Sequence, residues 1–190
     1  MASYYYLVAQ LPYLAYGLPS PMETRKFREL CAELMDPGDA AFLSRCSLDP
    51  AIAGGDPTHS PLIDGWAAWE RSLRIHLAKY RAARLKREDV VLPDAPFEPL
   101  DAAQAARSAL ALDSPLEAEQ QLDRSRWAAI EALASGPYFS RDTVYAYLLK
   151  LLILDRKALF RVEEGFAEYK AIYASVMEAA PTSNSSGEPK

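Results

Sequence analysis

The sequence predicts an all-α protein, a bundle of about seven or eight helices with a long, bent C-terminal helix. Three observations indicate this class. Serine followed by proline, a pattern that starts helices, recurs along the chain. Apolar residues repeat at three-and-four spacing, which places them on one helical face. No Asn-Gly or Asp-Gly hairpin joins two strand-like segments, so nothing in the sequence indicates a β-sheet.

The N-terminal segment, Tyr4 to Pro12, contains tyrosine and valine, which favour strands. No other segment of the sequence is suited to pair with it as a strand, and its length suits a helix. We therefore predict that the first helix lies here.

Two predicted helix starts share one capping pattern, Ser20 to Glu23 and Ser114 to Glu117. In each, the serine oxygen can accept a free backbone N–H, proline occupies the first helical position, and glutamate can reach back to the cap. Ser60 followed by Pro61 predicts a third start that lacks the glutamate.

The helix predicted from Ser20 carries an apolar stripe and ends where Asp36 to Gly38 interrupt it. Its stripe consists of Phe27, Leu30, Cys31 and Leu34. A short helix over Ala40 to Arg45 follows. The helix from Ser60 has the most regular apolar face, within an arc of about 80°, and that face should be buried. Its members are Trp66, Trp69, Leu73, Leu77 and Tyr80.

Three closely spaced prolines, Pro93, Pro96 and Pro99, predict a stiff connector between two groups of helices. We therefore expect an N-terminal helical group over residues 1–92, a proline-rich connector over 93–100 and a C-terminal helical group over 101–180. The polar residues 181–190 predict a disordered tail.

The C-terminal group begins with an alanine-rich helix capped by Asp101, followed by the helix from Ser114, which ends at Gly136. Residues 141–179 follow a cap at Ser140 and contain no proline. One straight helix of that length would measure about 58 Å, whereas a compact domain of this size is about 40 Å across. We therefore expect a bend at Gly165.

The composition is that of a globular protein, with 190 residues, 50% of them hydrophobic, and a net charge of −5. An acidic chain has no long-range attraction for nucleic acid or an anionic membrane, so we expect neither as a partner. Two cysteines and no basic residue before Arg25 predict a reducing, cytoplasmic location. The longest apolar run, Val144 to Leu154, is too short to insert across a membrane.

We find no set of residues that predicts a catalytic, metal or cofactor site. The chain has no glycine-rich phosphate loop, and His59 and His76 have no partners at metal-ligand spacing. Cys31 lies in an apolar stripe, which favours a core residue over a nucleophile. Glu163 and Glu164 diverge by about 100° on a helix, which favours a solvated face over an acid–base pair.

Positive charge is concentrated near the end of the Ser60 helix. Residues 66–88 carry seven cations against two anions, which leaves a net charge of −10 on the rest of the chain. Because the last turn is basic on all sides, it should leave the core. We predict a docking site for an acidic protein surface, and the alternative is a solvated end that complements the helix dipole. The candidate residues are Arg74, Arg81, Arg84, Lys86 and Arg87.

Three adjacent tyrosines, Tyr4, Tyr5 and Tyr6, are the second candidate for partner binding. On a helix they point about 100° apart, so they cannot all enter one core face. An exposed tyrosine would be an apolar anchor for a partner, whereas one packed against the C-terminal helix would be a core residue.

Two regions of the chain carry a family resemblance. They are Tyr4 to Pro12 and, in the C-terminal group, Phe139 to Arg141 leading into Tyr145 to Leu151 and Arg156-Lys157. These segments resemble an uncharacterised bacterial family encoded among the subunits of V-type (A/V-type) ATP synthases. The start is also similar to the Tyr-x-Tyr opening of the V-type ATPase socket protein, an all-helical protein that seats the central stalk on the rotor ring. That socket protein is much longer than this chain, so the resemblance does not extend to a complete socket.

The resemblance implies a non-catalytic subunit or assembly factor of a V-type ATPase or ATP synthase complex. Such a protein would act through contacts with ATPase subunits, in the cytoplasm or at the membrane periphery through the complex. The residues leave two alternatives open, a small helical enzyme that uses carboxylates and arginines on an unknown substrate, and a generic helical adaptor.

Overall fold

The computed structural model describes residues 4–51, 57–87, 91–98, 100–160, 169–173 and 175–176. The predicted all-α class is confirmed, since these residues form helices and no strand. The helices are α1 (Tyr5–Gln10), α2 (Thr24–Leu34), α3 (Pro37–Arg45), α4 (Pro61–Arg84), α5 (Ala102–Leu110), α6 (Pro115–Leu133) and α7 (Arg141–Ala158). Residues 169–173 and 175–176 are also helical.

Residues 1–157 form one compact unit, and residues 158–190 form a second. In the first unit, α4 packs against α5 and α6, while α2 packs against α3 and α1. Residues 91–98 of the predicted connector carry no helix. The helices on its two sides nevertheless pack on one another, so the two predicted helical groups contribute to one core.

Four of the predicted caps start helices as expected from local hydrogen bonding. The Ser60 hydroxyl accepts the N–H of Ile63 at 3.2 Å, and the Asp101 carboxylate accepts that of Gln104 at 2.9 Å. Ser114 accepts from Glu117 at 3.4 Å. The cap at Ser140 accepts from the third residue of α7 at 3.4 Å.

The predicted start at Ser20 is wrong. Its hydroxyl donates to the carbonyl of Met22 at 2.7 Å, and α2 begins only at Thr24, with Glu23 in the capping position. A serine can form such a local turn instead of capping a helix, and here the turn forms. The next helix begins earlier than predicted, at Pro37, because proline suits the first helical position.

The long helix α4 buries the apolar face that the sequence predicts. Trp66 and Trp69 stack at 5.8 Å, and Leu73 is fully buried. Gly65 lets α4 approach α6 closely, since a Cβ atom there would lie 2.7 Å from the Cδ2 atom of Leu133. The tryptophan pair and this close contact place α4 at the centre of the core.

The C-terminal helix is shorter than predicted. The sequence predicts one bent helix over residues 141–179, but α7 ends at Ala158. Leu154 is the last buried residue of α7, and helices in proteins are stabilised mainly by packing, so the helix ends soon after its packing does. The predicted bend at Gly165, with its neighbours 161–168, and the predicted tail over 181–190 lie outside the described residues.

A network of six alternating charges joins α4, α6, α7 and the chain after α3. Arg126 donates two hydrogen bonds to the carboxylate of Glu70, at 3.0 and 3.1 Å, and a third to Asp123 at 3.1 Å. These three residues are buried. Arg74 donates to Glu70 at 3.0 Å and also contacts Asp49, while Arg156 contacts Asp123. We call Asp49, Glu70, Arg74, Asp123, Arg126 and Arg156 the ion network.

The Glu70→Gln substitution should destabilise the protein by about 3 kcal/mol or more, because it leaves two guanidinium groups without their shared carboxylate. Urea unfolding followed by circular dichroism measures this. The matched control is Glu29→Gln, which removes an exposed pair with Arg25 at 3.7 Å and should change stability by less than about 0.5 kcal/mol. Equal effects of the two substitutions would contradict a stabilising role for the network.

Candidate functional site

Four aromatic rings form a continuous surface where the N-terminal segment meets the loop before α7. The Tyr5 ring lies 5.7 Å from Tyr6 and 4.7 Å from Phe139, and Phe139 lies 5.1 Å from Tyr138. The exposed fractions are 54% for Tyr5, 80% for Tyr6 and 70% for Tyr138. We call these four residues the aromatic patch.

Tyr4 attaches the aromatic patch to the core. Its backbone N–H donates to the carbonyl of Phe139 at 2.8 Å, and its phenol lies 2.6 Å from the Asp39 carboxylate and 3.1 Å from that of Asp36. Tyr4 is therefore a core residue, while Tyr5 and Tyr6 face solvent. Adjacent residues on a helix point about 100° apart, which is why Tyr5 and Tyr6 do not share the buried position of Tyr4.

The end of α4 presents four exposed cations. Arg81, Arg84, Lys86 and Arg87 form no ion pair with any acidic side chain in the described part of the chain, and Leu85 between them is 70% exposed. Lys86 has a φ of 53°, and the N–H of Arg87 donates back to the carbonyl of Ala82 at 3.0 Å. This left-handed residue ends the helix. We call the four cations the basic tip.

Arg74 does not belong to the basic tip, and its prediction as a docking residue is corrected. Its guanidinium group pairs with Glu70 and Asp49 within the ion network. Burial lowers the pKa of Arg74, but its hydrogen bonds to these two carboxylates outweigh burial and the pKa is raised. Its charge is therefore compensated inside the protein.

Both cysteines are buried free thiols. Burial raises the pKa of Cys31 to about 12 and that of Cys46 to about 11, with nearby arginines opposing the shift only in part. Tyr147 is similar, since burial raises its pKa to about 12 and its hydroxyl donates to the carbonyl of Pro12 at 2.9 Å. All three groups are uncharged at neutral pH.

We expect the free energy of unfolding to fall as pH rises from about 9 to 12. A group whose pKa is raised on folding favours the folded state below its unfolded pKa, and this contribution is lost as pH rises through the folded value. The Tyr147→Phe variant should show a shallower loss of stability above pH 10 than the wild type in urea unfolding. If the free energies of unfolding of the variant and the wild type fell equally with pH, Tyr147 would make no contribution to this pH dependence.

Among the described residues, there is neither a group of three histidine, cysteine or carboxylate side chains that could hold a metal ion nor a helix that is long and apolar enough to cross a membrane. His76 stacks on Tyr80 at 5.9 Å, and His59 lies before the start of α4.

Sequence reasoning missed two features. Phe139 and Tyr138 join the aromatic patch, although only a three-dimensional contact places them beside Tyr5. The ion network was also missed. One signal for it was available. Glu70 falls four residues after Trp66, and Arg126 falls four residues after Leu122 and four before Ile130, so each charge lies on a helical face that is otherwise apolar.

The chain matches no protein-family model, no curated protein and no solved structure. The resemblance to V-type ATPase proteins therefore rests on the segments quoted above. Two of those segments, at Tyr4 and at Phe139, are the ones that meet at the aromatic patch.

Proposed function

We propose that this protein is a non-catalytic subunit or assembly factor of a V-type ATPase or ATP synthase complex and acts through contacts with ATPase subunits. It would work in the cytoplasm, at the membrane periphery through that complex. The observation that carries the proposal is the aromatic patch, where Tyr5 and Tyr6 from one region that resembles the V-type ATPase family meet Phe139 from the other.

The aromatic patch has the chemistry of a protein-binding surface. Tyrosine is enriched at the residues that dominate binding energy, since its ring supplies contact area and its hydroxyl tolerates solvent. Tyr5 and Tyr6 are exposed although their neighbours Leu7 and Val8 are buried. The segment is therefore held in place by the core while two of its rings stay available to a partner.

The basic tip would assist association. Exposed charges at the edge of an interface act mainly on the association rate and its salt dependence, and a cluster of cations on an otherwise acidic protein attracts an acidic surface. An acidic member of the ATPase complex fits this requirement. Affinity would come from the aromatic patch.

The six side chains of the ion network are not available to the alternative function, an enzyme that uses carboxylates and arginines on a substrate. The three carboxylates and three guanidinium groups of the network pair with one another, so they are engaged in the fold instead of facing a substrate. Because these groups pair only when the helices are aligned in one way, the ion network stabilises that alignment of the helices.

Replacing Tyr5 and Tyr6 together with alanine should reduce capture of ATPase subunits by about tenfold or more, because tyrosines that become buried on binding are typical hot spots. The measurement is a pull-down from an extract of the native host, with the captured subunits identified by mass spectrometry. The control is Tyr13→Ala, which removes a tyrosine that is 85% exposed and lies outside the aromatic patch. The control should capture as much as the wild type.

Absence of all ATPase subunits from the wild-type pull-down would refute the proposed complex. Equal losses for Tyr13→Ala and the double variant would show that capture does not depend on the aromatic patch.

Reversing two charges of the basic tip, Arg84→Glu with Arg87→Glu, should slow association with the captured ATPase protein at low salt and have little effect at high salt. Surface plasmon resonance over a range of ionic strength measures this. A variant with the same change in net charge, Arg25→Glu with Lys26→Glu on the exposed side of α2, should retain more of the association rate. Identical rates for both variants would make the basic tip a solvated helix end.

A further inference from the structure

A cavity of about 630 Å³ lies among α3, residues 58–60 and the first turns of α7. A second cavity of about 540 Å³ adjoins it and shares Asp39, His59 and Arg141 as lining residues. Both volumes fall within the range of about 300–1,000 Å³ that is typical of sites for small organic molecules. Neither cavity belongs to the aromatic patch or the basic tip.

The walls of the larger cavity include two aromatic rings. Phe42 and Tyr145 line it, with ring centroids 5.3 Å apart. The Tyr145 hydroxyl donates to the backbone carbonyl of Asp39 at 3.3 Å, so its polar atom is already engaged. Tyr145 is buried behind Phe42, whose half-buried ring therefore offers the apolar surface to an occupant.

The charges of the cavity leave one cation unpaired. Arg141 lies 3.4 Å from the Asp39 carboxylate and also donates to the carbonyl of His59, so the charges of Arg141 and Asp39 offset each other. Arg45 has only the ring of Phe42 beside it, at 5.9 Å, and no carboxylate of the described residues lies within ion-pair distance. A free guanidinium group next to an aromatic wall suits an anion with an apolar body.

We propose that this cavity binds a small organic carboxylate, with its carboxylate on Arg45 and its apolar body against Phe42. A monoanion fits better than a phosphate, since a second negative charge would face Asp39, and among the described lining residues Arg45 is the one cation without a carboxylate partner. The proposal does not depend on the proposed role in an ATPase complex.

The ligand test uses three probes of similar shape on the full chain, followed by NMR chemical shifts of backbone amides. The carboxylate 3-phenylpropanoate should bind with a Kd on the order of 1 mM, as expected for a ligand of this size. The neutral 3-phenylpropanamide and the dianionic phenyl phosphate should each bind about tenfold more weakly, because neither carries the single negative charge that Arg45 would balance. A tripeptide ending in phenylalanine distinguishes two sources of the carboxylate ligand. If it binds more tightly than 3-phenylpropanoate, the natural ligand is a polypeptide C-terminus. If it binds more weakly, the natural ligand is a free acid.

Two variants test whether 3-phenylpropanoate binds in this cavity. Gly38 lines the cavity, and a Cβ atom there meets nothing within 4 Å, so Gly38→Leu should fill the space without a clash and abolish binding. Arg45→Gln should weaken binding of 3-phenylpropanoate by about tenfold. The control, Arg25→Gln on the exposed side of α2, should bind as the wild type does.

Three results would overturn the proposal. They are equal affinity for the amide and the carboxylate, unchanged affinity in both Gly38→Leu and Arg45→Gln, or no shift of any cavity amide with 3-phenylpropanoate at about ten times the expected Kd. Circular dichroism of each variant establishes that a loss of binding does not reflect a loss of fold.

Discussion

Arg126 sets the constraint on which the rest of the structure depends. It pairs with Glu70 on α4 and Asp123 on α6, in a core from which water is excluded. A single charge left alone there would cost several kcal/mol, whereas a complete set of partners offsets most of the cost of burial. Because Asp123 also meets Arg156 on α7, the three longest helices must keep the one register that pairs every charge.

The side chain and the backbone carbonyl of Asp39 on α3 form a second point where polar groups from distant parts of the chain meet. The side chain accepts the phenol of Tyr4 and pairs with Arg141, and the backbone carbonyl accepts the phenol of Tyr145. These contacts fasten the N-terminal segment and the start of α7 to α3. Tyr4 joins the aromatic patch to this junction, so the patch is held in place although its rings are exposed.

The surface thus presents different chemistries at different places. The aromatic patch offers apolar contact area, the basic tip offers exposed positive charge, and the cavity beside α3 combines the Arg45 guanidinium group with an aromatic wall. Apolar area contributes mainly affinity, and exposed charge contributes mainly association rate. A binding protein that uses both needs a rigid core to hold them, and the ion network supplies part of that rigidity.

The sequence by itself determined what depends on residues within a turn of one another: the helical class, the caps at Ser60 and Ser114, the buried face of α4 and the divergence of Tyr4, Tyr5 and Tyr6. Hydrogen bonds and periodicity at that range can be inferred from the printed residues. Tertiary structure decided the rest. Glu70 and Arg126 are 56 residues apart, and α7 ends where its packing ends, so neither the ion network nor that helix boundary follows from local pattern. The aromatic patch has the same origin, because a contact between the N-terminal segment and the loop before α7, and no local rule, brings its rings together.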